Sequence, residues 1–222
     1  MRKSISNYLK TIYEAGFTKT GTTNKQVATM LGVLPGSVTE AVSNLEKQGL
    51  VTRKTYHEIA LTRTGYQLVK NLMFRYRLCE VWLSKIIKLP LSVIPEQAWL
   101  MAAINNQELL DRLHRQLDQP LVSPFGGALA LPDFDQQASE LVTLDTVTAG
   151  QTVLLASYLE TASTIKYWQH AGLQLNQTLT VTHRDATIPM LTLTSANQTE
   201  YLVDTAVARY VYVQPQTAGV PV

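Results

Sequence analysis

Along the first fifteen residues the apolar side chains return every three or four positions. Ile5, Tyr8, Leu9, Ile12 and Tyr13 share one face, which predicts a helix over 4–15. "GFTKTGTT" breaks it. Thr23 or Asn24 then caps a second helix, "NKQVATMLG", with Gln26 placed to close a capping box on Thr23 and Gly32 as its C′ stop. After "VLP" a third helix, "GSVTEAVSNLEKQG", carries Val38, Ala41, Val42 and Leu45 as its apolar stripe and stops at Gly49. Two short helices joined by a few residues containing Gly predict a helix-turn-helix. "LVTRKTYHEIALT" alternates in the manner of a two-stranded hairpin with a basic tip. Helix-turn-helix followed by hairpin is a winged helix.

Thr62 caps a long helix, "RTGYQLVKNLMFRYRLCEVWLSKIIK", that ends before Pro90. Leu68, Leu72, Cys79, Leu83 and Ile86 recur along it mostly three or four apart, and its length predicts packing against a partner chain. A helix over 95–103 and another from near Asn106 follow. Residues 119–137, "QPLVSPFGGALALPDFDQQ", hold three prolines and two adjacent glycines and read as a linker. From Glu140 the texture changes to short Thr- and Val-rich segments, "LVTLDTVTAGQTVLLASYL", "LTVTHRD", "MLTLTSA" and "YVYVQ", interrupted by one helix at about 160–171. Such strands suggest a small barrel. "QTAGVPV" reads as a loose tail. The expected fold class is therefore α+β and multidomain.

Charge sharpens this picture. The whole chain of 222 residues carries only +2. Lys and Arg outnumber Asp and Glu by six within residues 1–70, whereas each of the stretches 71–140 and 141–222 is acidic by two. A basic first third on a slightly acidic chain is the footprint of a nucleic-acid-binding module. No apolar run is long enough to span a membrane, and the N-terminus lacks the apolar core of a secretory signal. The single cysteine, Cys79, fits a reducing interior, and a cytoplasmic location is expected.

The third helix is the candidate reading element, since the second helix of a helix-turn-helix presents its N-terminal residues to base edges in the major groove. Here that end is Pro35, Gly36, Ser37, Thr39 and Glu40. The Ser37 and Thr39 hydroxyls suit phosphates or bases, and the Thr39 methyl suits a thymine methyl. Glu40 either accepts from a cytosine amino group or repels phosphate. Lys25, Asn44, Lys47, Arg53 and Lys54 flank the helix as phosphate ligands, with Tyr56 and His57 at the wing tip. No P-loop, GxGxxG, HExxH or GxSxG sequence supports an enzyme. The rival reading is an interaction adaptor that uses the winged helix and the barrel on protein partners.

"YLKTIYE", "VATMLGVLPGSVTEAVSNLEKQGLV" and "LTRTGYQLVKNLMFRYRLCEVWL" together resemble the DtxR/MntR family of metal-dependent transcriptional repressors. "QPLVSPFGG" is similar to that family's "HP…CPHGNPIP" segment, and the end of the chain resembles its SH3-like, FeoA-like domain. The resemblance implies a winged helix over 1–70, a helical dimerisation domain over 71–118, a linker over 119–139, an SH3-like β-barrel over 140–214 and a tail over 215–222. It implies a homodimer on a palindromic double-stranded operator, with iron or manganese as corepressor, and an interface including Leu72, Leu83, Trp99, Leu109 and Leu113.

The ligand positions that the resemblance implies are mostly lost. They fall on Asn7, Lys10, Tyr76, Glu80, Pro95, Gln97, Trp99, Ala102 and Ala103, and only Glu80 keeps its ligand type. Iron and manganese sites need carboxylates and imidazoles. No cofactor is expected, or at most weakly held divalent Mn or Fe. "WLMAA" (99–103) is expected to fill the former site by core packing. An unidentified small-molecule effector and a metal site outside the family positions are the alternative controls. The histidines, His57, His114, His170 and His183, offer little for such a site: only His114 has a carboxylate, Asp111, at helical spacing.

Overall fold

The computed structural model describes residues 5–18, 21–53, 58–136, 140–185 and 187–216. The chain divides into two compact units. One comprises 1–79, 101–119 and 129–138; the other comprises 80–100, 120–128 and 139–222.

The first unit begins with α1 (Ile5–Ala15), α2 (Asn24–Leu31) and α3 (Pro35–Lys47). Their apolar stripes converge on one core in which Leu9, Ile12, Val27, Val38, Val42 and Leu45 are buried. The ends obey local chemistry. The Thr23 hydroxyl accepts from Gln26 N at 3.3 Å, and Gly32 turns left-handed at φ 62° to close α2. The reciprocal half of the capping box is replaced: the Gln26 amide donates to Ala15 O at 3.1 Å and accepts from the Thr22 hydroxyl at 3.0 Å. Gln26 thereby stitches α2 to the end of α1. Strands β1 (Val51–Arg53) and β2 (Ile59–Leu61) pair antiparallel, and Thr22 bridges the outer side of β2 at Ile59. This is the expected winged helix.

The long helix α4 (Arg63–Lys85) starts against the wing. Thr62 caps it, accepting from Gly65 N at 3.1 Å while its hydroxyl donates to Gly49 O at 2.7 Å. Helix α6 (Gln107–Gln116) is capped by Asn106. The segment read as a linker is packed in part: Leu129 and Leu131 are buried, and the Tyr66 hydroxyl donates to Pro132 O at 3.0 Å. Two ion pairs, Lys70 with Asp133 and Arg63 with Asp135, each at 2.7 Å, lie outside this contact and add little because they are solvated.

Burial foremost, then the nearby Tyr13 and Asp133, pushes the Tyr66 phenol up to about 12. A raised pKa means that the neutral phenol stabilises the folded state below its ordinary value of about 10, and that this contribution is lost as pH rises toward about 12. The expected result is a denaturant midpoint that falls over this window in the wild type and falls less in Tyr66→Phe. Parallel curves for the two proteins would assign the alkaline loss to another group.

The second unit holds α5 (Ile94–Met101) up to Leu100, β3 (Val142–Thr143), β4 (Thr152–Tyr158), α7 (Ala162–Ala171), β5 (Thr178–Arg184), β6 (Met190–Ser195), β7 (Glu200–Asp204), α8 (Thr205–Ala208) and β8 (Val211–Pro215). Its strands form one antiparallel sheet in the order β3-β8-β4-β5-β6-β7, with register shifts at Leu155/Ser157 and Val181/His183. The alternation in β4, β5 and β6 sends Val153, Leu155, Val181, Leu191 and Leu193 inward. Strand β7 did not stand out in the sequence, because Glu200 and Asp204 bound only three apolar residues. Phe125 packs edge-on to Tyr158 at 5.6 Å, and Tyr158 stacks on Trp168 at 4.3 Å. The chain passes so close there that a Cβ on Gly126 would stand 2.2 Å from Ala156 O.

Helix α5 departs from expectation. Ile94, Ala98 and Ala102 are buried at helical spacing, yet Leu100 is 67 % exposed and Ala103 faces solvent. "WLMAA" is therefore not wholly core. An eight-residue helix offers its neighbours one fully buried stripe, and the other apolar residues of this helix are half-buried or, at Leu100, exposed.

Candidate nucleic-acid interface

Helix α3 is built to present its N-terminal half. Leu34 precedes it in extended conformation without a side-chain cap, and Pro35 opens the first turn, where its missing N–H costs nothing. Val38, Val42 and Leu45 face the core, which turns Pro35, Gly36, Ser37, Thr39, Glu40, Asn44 and Lys47 outward; all seven are exposed. Lys25, at the start of α2, is exposed as well. The exposed donors thus line α3 and the start of α2. Lys54, Tyr56 and His57 lie outside the described residues.

Two residues are more constrained than their sequence suggests. The Thr39 hydroxyl donates to Pro35 O at 3.1 Å and accepts from Asn24 Nδ2 at 2.9 Å. It ties α2 to α3, and its methyl is the part left for an outside contact. Arg53, on β1, lies against α3: its guanidinium donates to the Ser43 hydroxyl at 3.1 Å and pairs with Glu46 at 3.4 Å. Arg53 braces the helix from the root of the wing. The sequence reading missed Asn24, Ser43 and Glu46 as partners. An opposite-charge pair, Glu46 and Arg53, flanking the Gly49 turn was the available signal.

The positions where the resemblance places metal ligands carry a different chemistry. Lys10 is ion-paired with Glu14 one turn along α1, and its Nζ stands 4.7 Å from the Tyr76 ring centre. Glu80 is buried, and its charge, after burial and Glu160, helps to push the Tyr158 phenol up. The ammonium and phenol at two of these positions, with proline, indole and methyl groups at others, do not fit an iron or manganese ion. Among the described residues no group of three or more His, Cys, Asp or Glu is arranged to hold a metal. Cys79 is buried, and His114 packs edge-on to Phe74 at 5.5 Å. No helix among the described residues is long and apolar enough to cross a membrane.

Of the positions expected at a dimer interface, Leu72 and Leu83 are already buried within the chain, whereas Leu109 is 49 % exposed. Leu113 and Trp99 are half-buried. Further exposed apolar side chains include Leu68 in the first unit, and Val93 and Leu100 in the second.

A winged helix with an outward-facing second helix, followed by a long helix and a small antiparallel sheet, defines the class of winged-helix DNA-binding proteins. Residues 1–59 match the family model described as "Iron dependent repressor, N-terminal DNA binding domain". Residues 62–128 match "Iron dependent repressor, metal binding and dimerisation domain". The chain belongs to the iron-dependent repressor family, that of the diphtheria toxin repressor. It is 27 % identical to the iron-dependent repressor IdeR of Mycobacterium leprae over 153 residues, 66 % of each chain. It is 29 % identical to the diphtheria toxin repressor of Corynebacterium diphtheriae over 129 residues, 58 % of this chain and 56 % of that one. The matched region thus spans between half and two thirds of these relatives. Among solved structures, the metal-dependent transcriptional regulator MtsR superposes with a TM-score of 0.82 at 27 % identity, covering 97 % of this chain and 100 % of that one. The manganese regulator SloR gives 0.80 at 26 %, with the same coverage.

Proposed function

We propose that this protein is a homodimeric transcriptional repressor that binds a palindromic operator in the cytoplasm and controls genes of iron or manganese homeostasis, without needing the metal itself. The observation that carries the proposal is α3: an exposed, small-residue N-terminal half on a helix fixed from α2 by Asn24 and from the wing by Arg53. In a dimer two such helices would enter successive major grooves, with Gly36, Ser37, Thr39 and Glu40 toward bases. Lys25, Asn44, Lys47 and Lys54 would meet phosphates. The exposed apolar residues Leu68, Leu109, Val93 and Leu100 support burial against a second copy. The metal-binding model match supports an ancestral metal response, and the altered ligand positions support its loss. Any remaining Mn or Fe affinity would be weak.

The test is a gel shift against the DNA upstream of the protein's own coding sequence, repeated over a range of salt. Specific binding should resist competitor DNA and weaken steeply with salt. Binding that is weak and indifferent to sequence would favour the adaptor instead.

Arg53 gives a finer test. As a brace, Arg53→Ala should weaken operator binding about tenfold while the slope of log affinity against log salt stays as in the wild type. A slope reduced by about one would mean that Arg53 neutralises a phosphate instead.

A further inference from the structure

Helices α1 and α4 meet at a cation that belongs to the chain. The Lys10 ammonium lies over the Tyr76 ring, 4.7 Å from its centre, and is paired with the Glu14 carboxylate. The Lys10 side chain is 16 % exposed and that of Glu14 8 %. Tyr76 is 2 % exposed. Ion pairing and cation–π attraction both strengthen when water is withdrawn, and here all three groups are largely withdrawn from it. A divalent ion at the same place would face a like charge at close range.

Two hydrogen bonds connect this contact to α3. Helix α1 holds α2 through Gln26 and the Ala15 carbonyl, and α2 holds α3 through Asn24 and Thr39. These two bonds are the route by which a shift of α1 on α4 would reach α3.

We propose that the Lys10 ammonium is a tethered stand-in for the corepressor cation. The triad Glu14–Lys10–Tyr76 fastens α1 to α4 and keeps α3 placed for the operator. A metal ion comes and goes with its concentration, whereas this cation cannot dissociate from the chain. The metal-gated step is replaced by a permanent one. This inference rests on the repressor reading above, and it makes Lys10 a positioning residue.

The experiment uses the full chain as wild type, Lys10→Met, Lys10→Gln and Lys10→Arg, with operator binding followed by fluorescence anisotropy in excess EDTA and in excess Mn²⁺. Wild-type affinity should change by less than about threefold between the two conditions. Lys10→Met and Lys10→Gln should bind about tenfold more weakly in both, and Lys10→Arg, which keeps the charge and stacks on a ring, should return to within about threefold of wild type. Operator binding by the neutral variants at wild-type strength, or a tenfold gain by wild type with Mn²⁺, would overturn the proposal. A readout without DNA keeps the two readings apart. Hydrogen exchange of the α1 amides should be about tenfold faster in Lys10→Gln than in Lys10→Arg. Equal exchange would sink the tether even where no operator is bound, an outcome that would itself remove the repressor reading. If Lys10→Met does not fold, the Gln and Arg pair decides the matter alone.

Discussion

Gly36→Glu is expected to fold at least as well as the wild type and to lose operator binding by about 100-fold or more. Gly36 is the second residue of α3, and a Cβ added there meets nothing within 4 Å. The first turn of α3 holds no acidic residue, so a carboxylate would act favourably on the helix dipole, by about 0.3–1 kcal/mol. Replacing Gly within a helix adds up to about 1 kcal/mol more. On DNA the sign reverses. In the proposed complex this end of the helix faces phosphates and base edges, and a carboxylate a few ångströms from a phosphate costs on the order of 3 kcal/mol at an effective dielectric near 20. That corresponds to about 100-fold in affinity. Melting temperature and operator anisotropy, measured on one preparation, test both halves. Gly36→Gln separates charge from bulk, since it should lose about tenfold. A Glu variant that binds within threefold of the wild type would remove the N-terminal half of α3 from the interface.

What the sequence made legible follows from the range of the interactions concerned. The helices α1 to α4 announce themselves because their signals are local: apolar positions three and four apart, Thr23 and Thr62 one turn ahead of the N–H groups they accept, and Gly32 turning left-handed at the end of α2. The winged helix follows from the order of those elements. Contacts distant in sequence leave no such trace. Arg53 is singled out by its charge alone, and only the fold brings it against Ser43 and Glu46. Lys10 looks like a simple loss of a ligand; only the fold brings its ammonium over Tyr76. Packing alone was expected to fill the metal positions, and an ion pair is found at one of them instead. For 119–137 proline and glycine spacing suggested a linker, and local patterns do not reveal that Phe125, Leu129 and Leu131 within it each find a core to enter.

Gly65→Ala should destabilise the first unit by on the order of 3 kcal/mol, one of the largest losses available to a single methyl group in this chain. A Cβ at Gly65 would stand 1.9 Å from Leu50 O. That oxygen cannot yield alone, because it accepts from Thr62 N at 3.0 Å. Thr62 in turn caps α4 and donates to Gly49 O at 2.7 Å, just past the end of α3. Moving α4 away to admit the methyl would break the cap and both bonds of Thr62 to the α3–β1 turn. The same substitution at Gly36, which meets nothing, should raise stability slightly, so the pair isolates steric contact from helix propensity, which favours Ala at both sites. For a chain of this size the loss corresponds to a melting temperature lower by roughly 10 °C. Operator binding should weaken in step, since Thr62 and Gly65 set where α3 ends. A Gly65→Ala protein that melts within about 2 °C of the wild type would show that α4 can move off Leu50 at little cost, and would take with it the rigid seat on which the placement of α3 depends.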